Sequence, residues 1–349
     1  MMKKLLLIIF LINFSTIAES NTEIDLNEKP DVNLTNKYMS DLLIIWSNIY
    51  QKKLKINDQE LEKLSIIEKY ADTINNEELF YTLGVVYMNI PDSLKAFKWM
   101  NLAANTNHPH AFHNIGWWYE HGFGHIKEDD KKAMEYYNKA FWELGLARSG
   151  GRLSEKYLSG DGVDKNEVKA REILEKILHQ SENLILDDQD ILLAEYKLGK
   201  MYRYSIGTEQ DLNKAVGYFI AASVQGHDKA MVEAAQIYRN WYRENGDEKD
   251  NEMAESLYKK ATEYENTDAM LYLSNIYHEK IGKGIDVDTN EVKYISWLYA
   301  AHKIGINNDE FKSIAMEFLE TKVLNNEKLI KILDARFEVC KNKKFIDCY

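Results

Sequence analysis

The sequence predicts an all-α protein, a solenoid built from helix-turn-helix repeats. Three observations predict it. Only 3 prolines occur in 349 residues, and Leu, Ile, Lys, Glu and Ala are abundant, a composition that favours helix throughout. Six tyrosines, Tyr87, Tyr119, Tyr157, Tyr202, Tyr238 and Tyr277, recur at intervals of 32, 38, 45, 36 and 39 residues. Small-residue pairs seven apart follow them: Ala96 and Ala103, Ala133 and Ala140, Ala215 and Ala222, Ala254 and Ala261. A period of this length belongs to repeat architectures rather than to separate globules.

The chain opens Met1-Met2-Lys3-Lys4, an apolar run follows from Leu5 to Ile12, and small residues follow Phe14. Residues 1–18 therefore read as a secretory signal peptide, cleaved after Ala18 or Ser20; the run is shorter than the ~20 apolar residues of a membrane span. Residues 19–36 read as a flexible linker. Residues 37–78 form a worn helix pair, with Trp46, Ser47 and Tyr50 on its first helix and Leu64 and Ala71 seven apart on its second.

Six repeats are expected over 79–308. Each opens on a first helix whose Ala, Leu and Tyr slots are four residues apart and share one face, as in Ala111, Ile115, Tyr119 and Ala194, Leu198, Tyr202. The slot after the leucine holds Gly84, Gly116, Ser154, Gly199, Ala235 and Ser274, which implies that a neighbouring helix backbone passes close by. The paired alanines then mark a second helix, with Ile177 in place of the third unit's second alanine and Tyr294 opening the sixth unit's pair before Ala301. Gly122-Phe123-Gly124, Gly160-Asp161-Gly162 and Gly207 break the chain between the two helices, and Asp130, Asn166 and Asp211 stand where a side chain can cap the second. An extra segment, Glu182 to Leu193, follows the third unit. Residues 309–349 are expected to close the array with helices over 311–320 and 327–340. Seven residues separate Cys340, at the end of the last helix, from Cys348, and in an exported chain they are most simply a disulfide clipping the tail.

The alanine, leucine-glycine, tyrosine, Gly-x-Gly turn and Lys-Ala pattern resembles Sel-one-like repeats, relatives of the tetratricopeptide repeat. The best units are 111–148 and 194–229. The resemblance covers 79–308 and implies a right-handed α/α superhelix whose first helices line a concave face. It also implies an adaptor that binds protein or peptide. The sequence departs from the pattern at Pro91, where the first turn is short, and in the fifth unit, where Trp241 and Arg243 replace turn glycines.

Charge narrows the function classes. The formal net charge is −12, and loss of Lys3 and Lys4 with the leader makes it −14. A nucleic-acid binder or a protein drawn to anionic lipid needs the opposite sign. No nucleophile elbow, His-Glu-x-x-His helix, phosphate loop or dinucleotide fingerprint is present, so the sequence points to no enzyme and no cofactor. Five of nine histidines, His108, His110, His113, His121 and His125, fall within 18 residues. A metal site is the sharp reading of them. Helix-packing and turn positions are the better one, since His108 fills the slot that His227 fills in a later repeat.

The slots two, six and nine residues after each unit start are expected to face a partner together. They hold Tyr81; His113, Trp117 and Glu120; Tyr196, Lys200 and Arg203; Gln236 and Arg239; Asn275 and His278. Aromatics and arginines are the usual anchors of protein interfaces. The competing reading is that these residues pack between neighbouring repeats. The function expected is thus an exported, non-catalytic scaffold for a protein or peptide of unknown identity, placed in the periplasm by its leader, with the extracellular medium or a host cell as second choices. An envelope hydrolase acting on cell-wall or β-lactam substrates is the alternative; it requires a nucleophile with a base.

Overall fold

The computed structural model describes residues 32–50, 55–90, 92–179, 181–306 and 309–345. The expected leader, most of the expected linker and Cys348 lie outside them. The described chain is an all-α repeat solenoid. It falls into two compact units, one ending at His108 and the other beginning at Pro109. That division comes after the first of the repeats expected to run unbroken over 79–308.

The first unit holds α1 (Val32–Tyr50), α2 (Asp58–Ala71), α3 (Glu77–Met88) and α4 (Ser93–Asn105). Helix α1 starts inside the stretch expected to be linker. Tyr38, Leu42 and Ile45 bury one face of it, and the Thr35 and Tyr70 hydroxyls share a 2.8 Å hydrogen bond that fixes its first turns. Asn57 and Glu60 form a capping box on α2, and Asn76 and Asp92 accept the amides of Leu79 and Lys95 at the starts of α3 and α4.

The second unit holds α5 (Pro109–His121), α6 (Asp130–Asn138), α7 (Ala147–Ser159), α8 (Glu167–His179), α9 (Asp188–Arg203) and α10 (Leu212–Val224). It continues with α11 (Asp228–Asn245), α12 (Glu248–Thr262), α13 (Thr267–Gly282), α14 (Val287–Ile304), α15 (Asp309–Lys322) and α16 (Glu327–Asn342). Helix α6 ends in a π turn, Lys139–Glu143. Among the described residues there is no strand, only the isolated bridges Phe123–Ile126 and Leu146–Ile185, and no helix is long and apolar enough to cross a membrane.

The repeat slots acquire physical causes. The paired alanines are fully buried, Ala133 and Ala140 in one pair and Ala215 and Ala222 in another. At Gly116 and Gly199 the small slot faces a large side chain rather than a bare backbone, which corrects the expectation there, whereas at Gly84 the Met100 backbone nitrogen does come within 3.2 Å of an added Cβ. A Cβ added at Gly116 would meet the Tyr137 ring at 2.8 Å, and one at Gly199 the Phe219 ring at 2.6 Å. Both rings sit four residues after the first alanine of the second helix, where Met100, Leu174, Tyr258 and Leu298 stand in the other units. All six are buried.

The tyrosines anchor the turn. Asp129, Asn166 and Asp211 each donate a backbone N–H to the carbonyl oxygen of the phased tyrosine, Tyr119, Tyr157 and Tyr202, at 2.7, 2.8 and 3.0 Å. The same residues cap the second helix through their side chains. Asp129, not the neighbouring Asp130, is thus the cap of α6. The lysine before the first alanine lies over the tyrosine ring: Lys95 on Tyr87, Lys132 on Tyr119, Lys169 on Tyr157, Lys214 on Tyr202 and Lys293 on Tyr277, at 4.5–5.2 Å. The fifth unit has Met253 there, and Trp241 instead packs edge-on against Tyr238 at 5.3 Å. The turn glycines join one repeat to the next. At Gly162 (φ +73°) a Cβ would strike the Asp130 backbone at 2.6 Å, and at Gly207 (φ +64°) the Glu167 backbone at 2.5 Å. The extra segment after the third unit is tied down as well. Ala147 donates to the Ile185 carbonyl at 2.9 Å, Ile185 to the Gly145 carbonyl at 2.7 Å, and an Asp187–Asp190 capping box starts α9 early.

Candidate interaction surface

Tyr81 lies on α3 of the first unit; the other residues expected to face a partner lie on the first helices α5, α9, α11 and α13 of the second. In this unit most of the polar ones reach the next first helix instead. His113 on α5 shares a 3.0 Å hydrogen bond through Nδ1 with the Ser149 hydroxyl on α7. Burial, with smaller contributions from Arg148, Arg152 and His110, pushes its pKa down to about 3, so the ring is neutral. Glu120 accepts from the Tyr137 hydroxyl at 2.6 Å and pairs with Lys156 on α7 at 3.1 Å. The Lys156 amine, almost fully buried, also reaches Asp130 at 2.5 Å. Burial alone would lower its pKa, but the bonds to Asp130 and Glu120 outweigh that and raise it.

The pattern continues along the unit. Lys197 on α9 pairs with Glu155 on α7 at 2.8 Å. Arg203 on α9 donates to the Glu233 carboxylate and, at 2.8 Å, to Gln236 Oε1 on α11. Gln236 Nε2 donates to the Tyr272 hydroxyl on α13 at 2.8 Å. Arg239, itself buried, reaches Asn251 and Glu279 at 2.5 Å each. Burial pushes the Glu279 carboxyl upward, but hydrogen bonds from Arg239 and Arg243 hold it below its usual value. Slot six of one repeat meets slot three of the next in Glu155–Lys197 and again in Gln236–Tyr272. The third slot, with Lys197, Glu233 and Tyr272, is the signal that sequence reasoning missed: it holds a polar partner at three successive units.

The aromatics divide differently. Tyr81 stacks on His108 at 4.3 Å, and Tyr196 stacks on His227 at 4.2 Å. The His227 Nδ1 also accepts the Ala230 amide as the cap of α11. Burial pushes the Tyr196 hydroxyl up to about 12, so it stays protonated. Trp117, half-buried, stacks on His121 at 4.7 Å. Lys200 is half-buried beside the Tyr196 ring, and Asn275 and His278 are exposed on α13, with the His278 ring 5.1 Å from Tyr294. His108, His113, His121, His227 and His278 thus stack, cap or share hydrogen bonds. Among the described residues no group of three His, Cys, Asp or Glu could hold a metal ion. Cys340 is buried on α16; its expected partner Cys348 is outside the described residues.

Residues 90–108, 109–141, 151–180, 192–227 and 229–263 match the Sel1 repeat. The chain carries Sel1 repeats. The first matched segment spans only the second helix of its pair, and the α13–α14 pair folds alike beyond the last. A curated relative, cytochrome c oxidase assembly factor 7 of Xenopus tropicalis, is 32% identical over 109 residues, 31% of this chain. The chain covers 47% of that relative's length. Two solved structures share the fold. One is a protective antigen of uropathogenic Escherichia coli displaying an SLR fold (TM-score 0.61, 21% identity, 89% of this chain and 66% of that one). The other is a Sel1 repeat protein from Oxalobacter formigenes (TM-score 0.53, 24% identity, 74% of this chain and 98% of that one).

Proposed function

We propose that the chain is an exported, non-catalytic scaffold that holds a protein or peptide partner against the first helices of its repeats. The single observation that carries the reading is the array itself. Five Sel1 repeats run through the chain's middle, and stacked helix pairs of this kind offer extended surface rather than an enclosed cavity. The curated relative is named as an assembly factor, and that name describes no reaction. Export rests on the leader pattern of residues 1–18, and a Cys340–Cys348 disulfide would accompany it.

Under this reading the inter-repeat bonds divide the first-helix residues between two roles. His113, Glu120, Arg203, Gln236 and Arg239 hold first helices to one another, so they set the spacing of the surface. Trp117, Lys200, Asn275 and His278 keep accessible side chains and are the proposed contacts. The test is a crosslinking pull-down from envelope fractions, comparing wild type with Trp117→Ala/Lys200→Ala. Loss of a discrete partner from the variant, with an unchanged melting curve, supports the assignment. Equal recovery of the same partners by both proteins refutes it.

A further inference from the structure

Three cations on the neighbouring first helices α7 and α9 have one carboxylate between them. Arg152 on α7 and Lys197 on α9 both reach Glu155 on α7, at 3.2 and 2.8 Å. Burial pushes the Glu155 carboxyl upward, but Lys197 and Arg152 outweigh it and hold it below its ordinary value, so it is ionised at neutral pH. Lys200 follows one turn after Lys197, half-buried beside the Tyr196 ring. Among the described residues no carboxylate lies within 4.0 Å of its amine. The other cations of these helices are matched: Arg148 by Asp187, Lys156 by Glu120 and Asp130, and Arg203 by Glu233. A local positive excess therefore stands in a chain of formal net charge −12.

The backbone beside these cations is bare. Gly151 lies within α7, where glycine is less favourable than alanine. At Gly84, Gly116, Gly150 and Gly199 a neighbouring side chain fills the space that a Cβ would need, at 2.6–2.8 Å. At Gly151 nothing lies within 4 Å. Packing does not account for this glycine, and its lack of a side chain opens the helix backbone to close approach from outside. Lys197 Nζ donates to the Gly151 carbonyl at 3.4 Å, which puts a cation at the edge of the opening.

We propose, resting on the scaffold reading above, that Gly151, Arg152, Lys197 and Lys200 receive an acidic segment of the partner polypeptide. The segment crosses α7 at Gly151. One of its carboxylates takes N–H donors that Arg152 and Lys197 do not use on Glu155, and another pairs with Lys200. A short peptide fits this surface better than nucleic acid does. It samples the field within a Debye length of ~8 Å, whereas a long polyanion meets the negative charge of the whole chain.

Panning a phage-displayed random peptide library against the folded full chain tests this, with the selected peptides then measured by fluorescence anisotropy. The selected peptides are expected to be rich in aspartate and glutamate, and their affinity to fall as salt is added. Arg152→Ala/Lys200→Ala should weaken them about tenfold. Gly151→Leu, which fills the opening while favouring helix, should weaken them as well. Glu155→Gln should tighten them, because it releases Arg152 and Lys197, and misfolding does not produce that sign. A consensus without acidic residues overturns the proposal, as do acidic peptides that wild type, Arg152→Ala/Lys200→Ala and Gly151→Leu bind equally. If an acid-free consensus is lost in Trp117→Ala, the scaffold reading survives and only its acidic partner falls. Failure to enrich any peptide also overturns the proposal, while the crosslinking pull-down tests the scaffold reading separately.

Discussion

Two glycines in one repeat should respond to the same substitution with opposite sign. Gly199 on α9 and Gly217 on α10 both lie within helices, where alanine is favoured over glycine by about 1 kcal/mol. At Gly217 an added Cβ meets nothing within 4 Å, so Gly217→Ala should realise that gain in full. At Gly199 the Cβ would stand 2.6 Å from two atoms of the Phe219 ring. Carbon atoms prefer roughly 3.5–4.0 Å, so the ring must retreat by about an ångström. It is fully buried and cannot swing aside. Overpacking costs about 1–3 kcal/mol, and against a ring this confined the upper part of that range, about 2–3 kcal/mol, applies; net of the helix gain, Gly199→Ala is destabilised by about 1–2 kcal/mol. Urea denaturation followed by far-ultraviolet circular dichroism should therefore separate the two variants by about 2–3 kcal/mol on either side of wild type. Phe219→Leu should cost less in the Gly199→Ala background than in wild type, since the smaller side chain relieves the overlap. Equal shifts at the two glycines, or strict additivity with Phe219→Leu, would refute the view that a ring lying on a bare Cα sets the small slot.

Further predictions concern buried charge. Lys156→Met leaves Glu120 and Asp130 facing each other without their cation, which should cost about 3 kcal/mol at neutral pH and less as acid protonates them; chemical denaturation at several pH values reads it. His113 has its folded pKa lowered from 6.5 to about 3 by burial, so the unfolded chain takes up the proton first. Its contribution to stability should therefore fall as pH drops from 6.5 towards 3, and His113→Asn should flatten the pH–stability curve there; an imidazole NMR signal titrating near 6.5 would contradict this. Burial pushes Glu255 upward, but bonds from Lys280, Tyr277 and Lys259 outweigh it and hold the carboxyl at about 2, below its ordinary 4.5. The stability it supplies should be present above 4.5 and vanish as pH falls through 2, and Glu255→Gln should abolish that acid-dependent loss.

Much of the fold was legible because the repeat writes itself into chain distances. The phased tyrosine must place its carbonyl under the cap of the second helix, and its ring under a lysine. Those two demands fix the interval from Tyr119 to Asp129 and from Tyr202 to Asp211 to within a residue. The small slot was legible as a close approach, but not what approached, because Tyr137 and Phe219 come from a different helix. The shared face of the first helices was readable from helical period. Whether Arg203 or Arg239 points at solvent or at the next repeat was not, since that depends on Glu233 and Glu279, some 30 to 40 residues along. The early start of α1 was hidden for a similar reason: Thr35 is held by Tyr70 of another helix.

The scaffold reading is tested most directly by site-specific photocrosslinking in the cells that make the protein. A photoreactive residue at Trp117, Lys200 or His278, on the first helices, is predicted to yield adducts of the same discrete mass. The same residue at Glu172 or Glu252, exposed on second helices, is predicted to yield none of that mass. Indistinguishable adducts from both sets of positions, or a complete absence of adducts from the first-helix set, would contradict the account.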